Sequence, residues 1–98
     1  MSAGYWVTTY RRVMSPEKVA AYAALAGPAI TAGGGVFLVR APLPAKVYEA
    51  GVEARTVVIK FASVEAAIAT HDSPAYQEAL AALGDGAERE IRICEGSA

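Results

Sequence analysis

Two side chains of this sequence are suited to moving a proton near neutral pH. His71 is the one histidine of the chain, and imidazole is the group that most often serves as a general acid or base. Tyr76 lies five residues later and is the second catalytic candidate. The alternative interpretation makes His71 a helix-terminal residue held by local hydrogen bonds, and Tyr76 a core aromatic whose hydroxyl reaches a partner. The sequence alone leaves both interpretations open.

Three further side chains complete the candidate ligand-binding set with His71 and Tyr76. Arg40 ends a mostly apolar segment, so its guanidinium must pair with an acid or reach solvent. It forms either an ion pair with Glu49, if the chain folds back after a proline-containing turn, or a clamp for an anion or carboxylate. Tyr22 lies on the apolar face of a predicted helix, where it is either a core aromatic or part of a cavity beside Arg40 and His71.

The sequence offers little to hold a metal or a cofactor. One histidine and one cysteine, Cys94, leave carboxylates nearly alone as metal ligands, so we expect no metal centre. Gly33–Gly35 follows a helix and precedes a strand, which is the reverse of a phosphate-binding turn. Neither Ser63 nor Ser73 lies in a nucleophile elbow. We therefore expect no cofactor, and we expect Cys94 to be a small buried or half-buried residue.

The length and net charge of the chain limit the kinds of partner that the protein can have. The 98 residues suit a single domain spanning residues 1–98. Lys and Arg number 9 against 10 Asp and Glu, a formal net charge of −1, which argues against nucleic acid and against a polybasic membrane patch. The sequence shows neither a signal-peptide pattern nor an apolar run of about 20 residues. We expect a cytoplasmic protein with no nucleic-acid or membrane partner.

The elements that position these side chains follow a βαββαβ order. Aromatic and β-branched runs predict strands at residues 5–12, 36–41, 55–61 and 88–95. Ser15 and Ser63 cap the two predicted helices, and the second is interrupted and restarted at Asp72–Pro74. This order predicts an α+β, ferredoxin-like fold, with a four-stranded, mainly antiparallel sheet and both helices on one face.

Both faces of the predicted sheet are apolar. Strict alternation along the second strand puts Phe37 and Val39 on one face, and Val36, Leu38 and Arg40 on the other. The other strands divide in the same way, so covering one face with helices leaves a second apolar face. We expect a second copy of the chain to cover it, sheet against sheet, in a two-fold symmetric homodimer.

Several motifs in this order resemble the DUF1330 family. Pro28 and Ile30, followed by Gly34-Gly35 and Phe37–Arg40, resemble its "P-x-I … GG-x-F-L-x-R" block. The resemblance covers most of the chain, roughly Tyr5 to Gly96, through Glu49, Arg55–Phe61 with Ser63–Ala67, Asp72–Gln77 and Glu95-Gly96. Two departures stand out: Ala50 separates the family's Glu from Gly51, and the stretch after the Tyr-Gln helix is Ala-rich, with Arg89 as the next arginine.

The resemblance implies a dimeric α/β-barrel, a ferredoxin-like subunit whose sheet packs on that of its twin. Related barrels include cofactor-free monooxygenases, haem-degrading enzymes and isomerases, so the fold does not choose a function. Our first hypothesis is a homodimeric domain that binds a small organic, anionic ligand between sheet and helices or at the dimer seam. The alternatives are a cofactor-free enzyme of isomerase or monooxygenase type using Arg40 and His71 in one pocket, and a purely structural dimeric module.

Overall fold

A computed structural model describes residues 2–98 of the chain. Its elements are β1 (Gly4–Val13), α1 (Pro16–Ala32), β2 (Val36–Ala41), β3 (Thr56–Phe61), α2 (Val64–His71), α3 (Pro74–Leu83) and β4 (Ala87–Glu95). The predicted βαββαβ order is confirmed, with the second helix in two pieces, α2 and α3. The strands lie in the order β2-β3-β1-β4, and every neighbouring pair is antiparallel. This arrangement confirms the ferredoxin-like α+β fold.

Serine caps begin all three helices. The Ser15 side chain accepts a hydrogen bond from the backbone N–H of Lys18, and Ser63 accepts one from that of Ala66. Ser73 accepts one from the backbone N–H of Tyr76, with Pro74 at the first helical position. Each cap satisfies one of the N–H groups that a helix start leaves without a partner. The third cap fixes the direction of α3 and with it the position of Tyr76.

The core lies between the helices and one face of the sheet. Its largest fully buried side chains are Trp6, Tyr76, Phe61 and Ile59. Trp6 is central, with its ring centroid 6.1 Å from that of Phe61 and 5.0 Å from that of Tyr76. The core thus ties β1 and β3 to α3 through aromatic contacts.

A β-bulge in β2 overturns the predicted alternation of that strand. Phe37 pairs with Ile59, but the register then shifts, so that Val39 pairs with Val58 and Arg40 with Val57. Because paired residues share a face, Phe37 and Arg40 both face the helices, and Val39 lies on the opposite side. The prediction that Arg40 and Phe37 face opposite sides was wrong, since one extra residue in the strand reverses the parity of all that follow.

The sheet face away from the helices, called here the open face, carries apolar and polar side chains. Tyr5, Val7 and Val58 lie on it by register. Apolar residues of edge strand β2 are also exposed, among them Val36 at 59% and Leu38 at 52%. Cys94 is exposed on edge strand β4, so the expectation that it is buried or half-buried was wrong. No helix within residues 2–98 combines the length and the apolar character that crossing a membrane requires.

Candidate functional site

A cavity of about 110 Å³ lies between α1 and the helix-facing side of the sheet. On the helix side, the small residues Ala23, Ala26 and Gly27 leave the space open. A Cβ atom added at Gly27 would meet nothing within 4 Å. The sheet side supplies an aromatic and aliphatic floor that includes Trp6, Phe37, Val57 and Ile59. The polar lining residues are Thr8, Tyr10, Tyr22, Arg40, Arg55 and Arg89.

Three arginines bring positive charge to this cavity from three different segments. Arg40, on β2, is exposed at the rim, with its guanidinium carbon 3.6 Å from the ring centroid of Phe37. Arg55, just before β3, and Arg89, on β4, are partly buried on either side of Tyr10, with guanidinium carbons 5.8 and 5.4 Å from its ring centroid. Within residues 2–98, no Asp or Glu lines the cavity. The cavity therefore concentrates positive charge without an internal counter-ion.

Arg89 is held by tyrosines. Its Nη2 donates to the Tyr76 hydroxyl at 3.1 Å and its Nη1 to the Tyr10 hydroxyl at 3.4 Å. The guanidinium carbon also lies 4.3 Å from the ring centroid of Tyr22. Burial by itself lowers the pKa of Arg89, but its interactions with Tyr22, Tyr76 and Tyr10 together outweigh burial and raise the pKa. The guanidinium therefore stays charged at any physiological pH.

The backbone of Arg55 is hydrogen-bonded, but its side-chain Nε–H group has no hydrogen-bond acceptor. Its carbonyl oxygen accepts a hydrogen bond of 3.0 Å from the backbone N–H of Tyr10. Its Nε atom is buried and is the one such side-chain nitrogen or oxygen without a hydrogen-bond partner among the described residues. A buried donor without an acceptor is unfavourable, and in native proteins such a group calls for an explanation. Its position at the cavity makes a bound acceptor the simplest one.

Tyr22 and Tyr76 share one hydrogen bond behind the cavity. Tyr22 lines the cavity, and its hydroxyl oxygen lies 2.7 Å from that of Tyr76. Tyr76 is fully buried at 0% exposure. Burial and the proximity of Tyr22 raise its pKa, although Arg89 opposes the shift. Tyr76 therefore stays protonated at neutral pH, and in this geometry it acts as a hydrogen-bonding group that holds Tyr22 and Arg89.

His71 lies in a different concavity from Arg40. Its groove is lined by Ile68, Asp72, Ile91 and Ile93. The ring packs against core aromatics, with centroids 5.6 Å from Trp6 and 5.2 Å from Tyr76. Its Nδ1 is 2.9 Å from a carboxylate oxygen of Asp72. Within one subunit, the expectation that Arg40 and His71 share a pocket was therefore wrong.

Glu49 is exposed in the loop between β2 and β3 and has a left-handed backbone, with φ of 55°. No ion pair joins it to Arg40 within the part of the chain that the structure describes. The predicted Arg40–Glu49 pair was wrong, because the bulge turns Arg40 toward the helices and Phe37.

Sequence reasoning missed four polar residues of the cavity: Thr8, Tyr10, Arg55 and Arg89. Strand alternation gave a signal for Arg89, because Arg89 alternates with Ile91 and Ile93 and therefore faces the helices with them. Arg55 gave the same signal, since it alternates with Val57 and Ile59 in the predicted strand at residues 55–61, although β3 itself begins at Thr56. The helix α3 carries no basic residue, and Arg89 reaches the cavity from β4.

The fold and the cavity together define a ferredoxin-like domain with a cationic pocket beneath its first helix. A family model described as "Domain of unknown function (DUF1330)" matches residues 3–97. The chain therefore belongs to the DUF1330 family, which has no established function. A comparison with curated proteins gave no match.

Solved structures share this fold at low sequence identity. A protein of unknown function from Rhodopseudomonas palustris is 17% identical, with a TM-score of 0.75 over 97% of this chain and 82% of that one. SnoaB, a cofactor-independent oxygenase from Streptomyces nogalater, is 14% identical, with a TM-score of 0.66 over 100% and 96%. A dimeric ferredoxin-like protein of unknown function from Thermobifida fusca is 15% identical, with a TM-score of 0.56 over 97% and 92%. At these identities the likeness concerns the fold alone.

Proposed function

We propose that this protein is a binding domain for a small organic anion, which it holds in the cavity beneath α1. The observation that carries the proposal is the convergence of Arg40, Arg55 and Arg89 on one cavity that no carboxylate of the described chain lines. Positive charges brought together without a counter-ion repel one another, and an anion in the cavity converts that repulsion into attraction. At about 4 Å and an effective dielectric constant of about 20, one such charge pair gains about 4 kcal/mol before desolvation.

The unpaired Nε of Arg55 supports the same conclusion independently of net charge. A buried N–H without an acceptor gains a full hydrogen bond when a ligand oxygen reaches it. A carboxylate suits this role, because it accepts several hydrogen bonds and matches the planar guanidinium group. The aromatic and aliphatic floor at Trp6, Phe37, Val57 and Ile59 then favours an apolar body attached to that carboxylate.

Ligands of one size and different charge test this proposal. Trp6 is the one tryptophan of the chain, it lines the cavity, and its indole N–H donates to Thr8 at 2.8 Å. Its single indole resonance in a nitrogen–proton correlation spectrum therefore reports on the site. We expect butanoate to shift this resonance saturably, and butanamide and butylammonium to bind at least tenfold more weakly. Equal responses to all three compounds would contradict an anion site.

A matched pair of variants separates the cavity from general surface charge. Replacing Arg55 by Gln removes the charge and the unpaired Nε, so butanoate affinity should fall at least tenfold. Replacing Lys46 by Gln removes the same charge from an exposed position of the β2–β3 loop and should change the affinity less than twofold. A similar loss in both variants would mean that the response measures non-specific charge. A purely structural module would show no saturable response to butanoate in the wild-type protein.

The proposal includes a homodimer that buries the open face. Val36, Leu38 and Val39 are exposed there on edge strand β2 at 59%, 52% and 39%, next to Val7 and Val58. The Thermobifida fusca neighbour is a dimeric protein of the same fold. Light scattering should therefore give twice the chain mass of 10.2 kDa, and Val58→Asp should shift it toward the monomer. A wild-type particle of monomer mass at micromolar concentration would overturn the dimer. A cytoplasmic location also belongs to the proposal as an expectation from the sequence.

Catalysis is not part of the proposal. The enzymatic alternative needs Arg40 and His71 beside one ligand, within one subunit or across the dimer, and within one subunit the two residues line different concavities. Tyr76, the other proton-carrier candidate, is fully buried and protonated, and Tyr22 separates its hydroxyl from the cavity. Among the five candidate residues, Arg40 and Tyr22 therefore remain as ligand-binding residues, and Tyr76 acts through Tyr22 and Arg89.

A further inference from the structure

Hydrogen-bond accounting fixes the direction of the bond between Tyr76 and Tyr22. The Tyr76 hydroxyl receives a hydrogen bond from Arg89, and a guanidinium can only donate. The proton of that hydroxyl needs an acceptor of its own because Tyr76 is fully buried. Within the described residues, the one acceptor in reach is the Tyr22 oxygen, at 2.7 Å. Tyr76 therefore donates to Tyr22, and the proton of Tyr22, a residue that lines the cavity, is left free for a ligand.

The same accounting applies to the other hydroxyls of the cavity. Thr8 accepts from the indole of Trp6 at 2.8 Å, and Tyr10 accepts from Arg89 at 3.4 Å. Each of these hydroxyls keeps its own proton for another partner, and a second lone pair with it. The three guanidiniums have no acceptor atom at all. The polar groups of the cavity thus present hydrogen-bond donors to a ligand from several directions.

From this lining, in which donors outnumber acceptors, we infer that the ligand is a small 2-oxo carboxylate, whose carboxylate binds the arginines and whose neighbouring carbonyl oxygen accepts from Tyr22. Tyr22 and Arg89 both reach the same Tyr76 hydroxyl, at 2.7 and 3.1 Å. A carboxylate held by Arg89 therefore brings its adjacent carbon close to Tyr22. The inference rests on the proposed function and adds the chemical class of the anion, with Tyr22 as its specificity-determining residue.

A 2-oxo acid matches this lining because it carries acceptors and no donor at neutral pH. The corresponding hydroxy acid adds an O–H group, whose proton must compete for the few lone pairs that the cavity hydroxyls retain among many donors. The corresponding unsubstituted acid leaves the Tyr22 proton without a partner in a largely apolar site. Sites that hydrogen-bond a substrate group discriminate strongly against analogues lacking that group, because a buried polar group is then left unpaired.

Three four-carbon acids of the same charge test the inference. We expect 2-oxobutanoate to shift the Trp6 indole resonance with a Kd at least fivefold below that of butanoate, and 2-hydroxybutanoate to bind more weakly than the oxo acid. In Tyr22→Phe, which removes only the hydroxyl, the ratio between butanoate and 2-oxobutanoate should fall below twofold. Tyr48→Phe removes a hydroxyl from a residue that is 74% exposed and should leave the ratio unchanged.

The outcomes separate this inference from the function on which it rests. Equal affinities of the wild-type protein for 2-oxobutanoate and butanoate would overturn the inference of a 2-oxo acid, and so would an unchanged ratio of the two Kd values in Tyr22→Phe. In either case, saturable binding of butanoate would still support the anion site. Absence of binding by all three acids overturns both. If Tyr22→Phe fails to fold, the wild-type ranking decides, and a hydroxy acid that binds as tightly as the oxo acid overturns the inference.

Discussion

The two faces of this sheet treat arginine in opposite ways. On the open face, Arg11 and Arg92 each contact Glu90 at 3.0 and 3.3 Å, and Arg12 contacts Glu88 at 3.4 Å. All three arginine side chains are more than 60% exposed. On the helix-facing side, the guanidinium of Arg40 lies against Phe37, and those of Arg55 and Arg89 lie near tyrosines. None of the three forms an ion pair with an acidic side chain of the described residues.

This difference distinguishes arginines that form solvent-exposed ion pairs from arginines that are available to bind a ligand. Exposed ion pairs contribute little to stability, about 0–1 kcal/mol each, and need no function to explain them. Arg55 differs from the arginines of these pairs, because it is partly buried, has no acidic partner within the described residues and leaves a buried Nε unpaired, which is unfavourable for folding alone. An arginine of this kind, beside a cavity that Arg40 and Arg89 also line, is the basis for assigning the cavity to an anion.

The comparison predicts its largest effect on stability at Arg89. Replacing Arg89 by Ala removes its contact with Tyr22 and its hydrogen bonds to Tyr76 and Tyr10, and should lower the free energy of unfolding by about 2–3 kcal/mol. Replacing Arg92 by Ala on the open face should change it by less than about 0.5 kcal/mol. Urea unfolding followed by circular dichroism measures both. Equal losses would mean that the two faces do not differ.

A second variant should change stability in the opposite direction. Replacing Arg55 by Met keeps an unbranched apolar side chain and removes the charge and the unpaired Nε. The free energy of unfolding without ligand should rise by about 1 kcal/mol, because exchanging unsatisfied buried charge for apolar contact is often stabilising. Butanoate binding should be lost at the same time. Destabilisation by this substitution would show that Arg55 serves the fold and not a ligand.

Lowering the pH should reduce the free energy of unfolding slightly through the ion pairs of the open face. The hydrogen bond from Arg11, together with the charge of Arg92, holds the pKa of Glu90 below its usual value. A lowered carboxyl pKa gives stability that is present above the unfolded pKa of about 4.3 and is lost as pH falls below it. Because Glu90 is exposed, the loss should be small. The free energies of unfolding of wild type and Glu90→Gln should differ slightly at pH 6 and converge as the pH falls below the pKa of Glu90 in the folded protein; a difference that does not change with pH would contradict the assignment.

Much of the fold was predictable because local signals agree with one another. The Ser15, Ser63 and Ser73 caps, the glycine run after α1 and the alternation of β1 and β3 all indicate the same βαββαβ order. The face assignment of β2 failed because a bulge is set by pairing with the neighbouring strand, which alternation does not encode. The extra residue of the bulge also caused the error about Arg40, because it changed both the face on which Arg40 lies and the side chain that Arg40 contacts.

The site was harder to predict than the fold because its residues come from distant segments. Arg40 and Tyr22 were identified by residue type and position, and they do line the cavity. His71 drew attention as the single histidine, but its position is set by the end of α2, which packs beside Trp6 and away from the cavity. Alternation along the predicted strands places Tyr10 with Trp6 and Arg55 with Val57 on the helix-facing side, but their meeting at one cavity depends on the pairing of β3 with β1.

The most direct test of the anion site is the proton chemical shift of the Arg55 Nε–H group during a titration with butanoate. This group is buried and has no acceptor in the described chain. If a carboxylate binds beside it, the resonance should move downfield and saturate with the same Kd as the Trp6 indole resonance. A resonance that stays in place while butanoate saturates, or that drifts linearly without saturation, would contradict the assignment of this cavity to an anion.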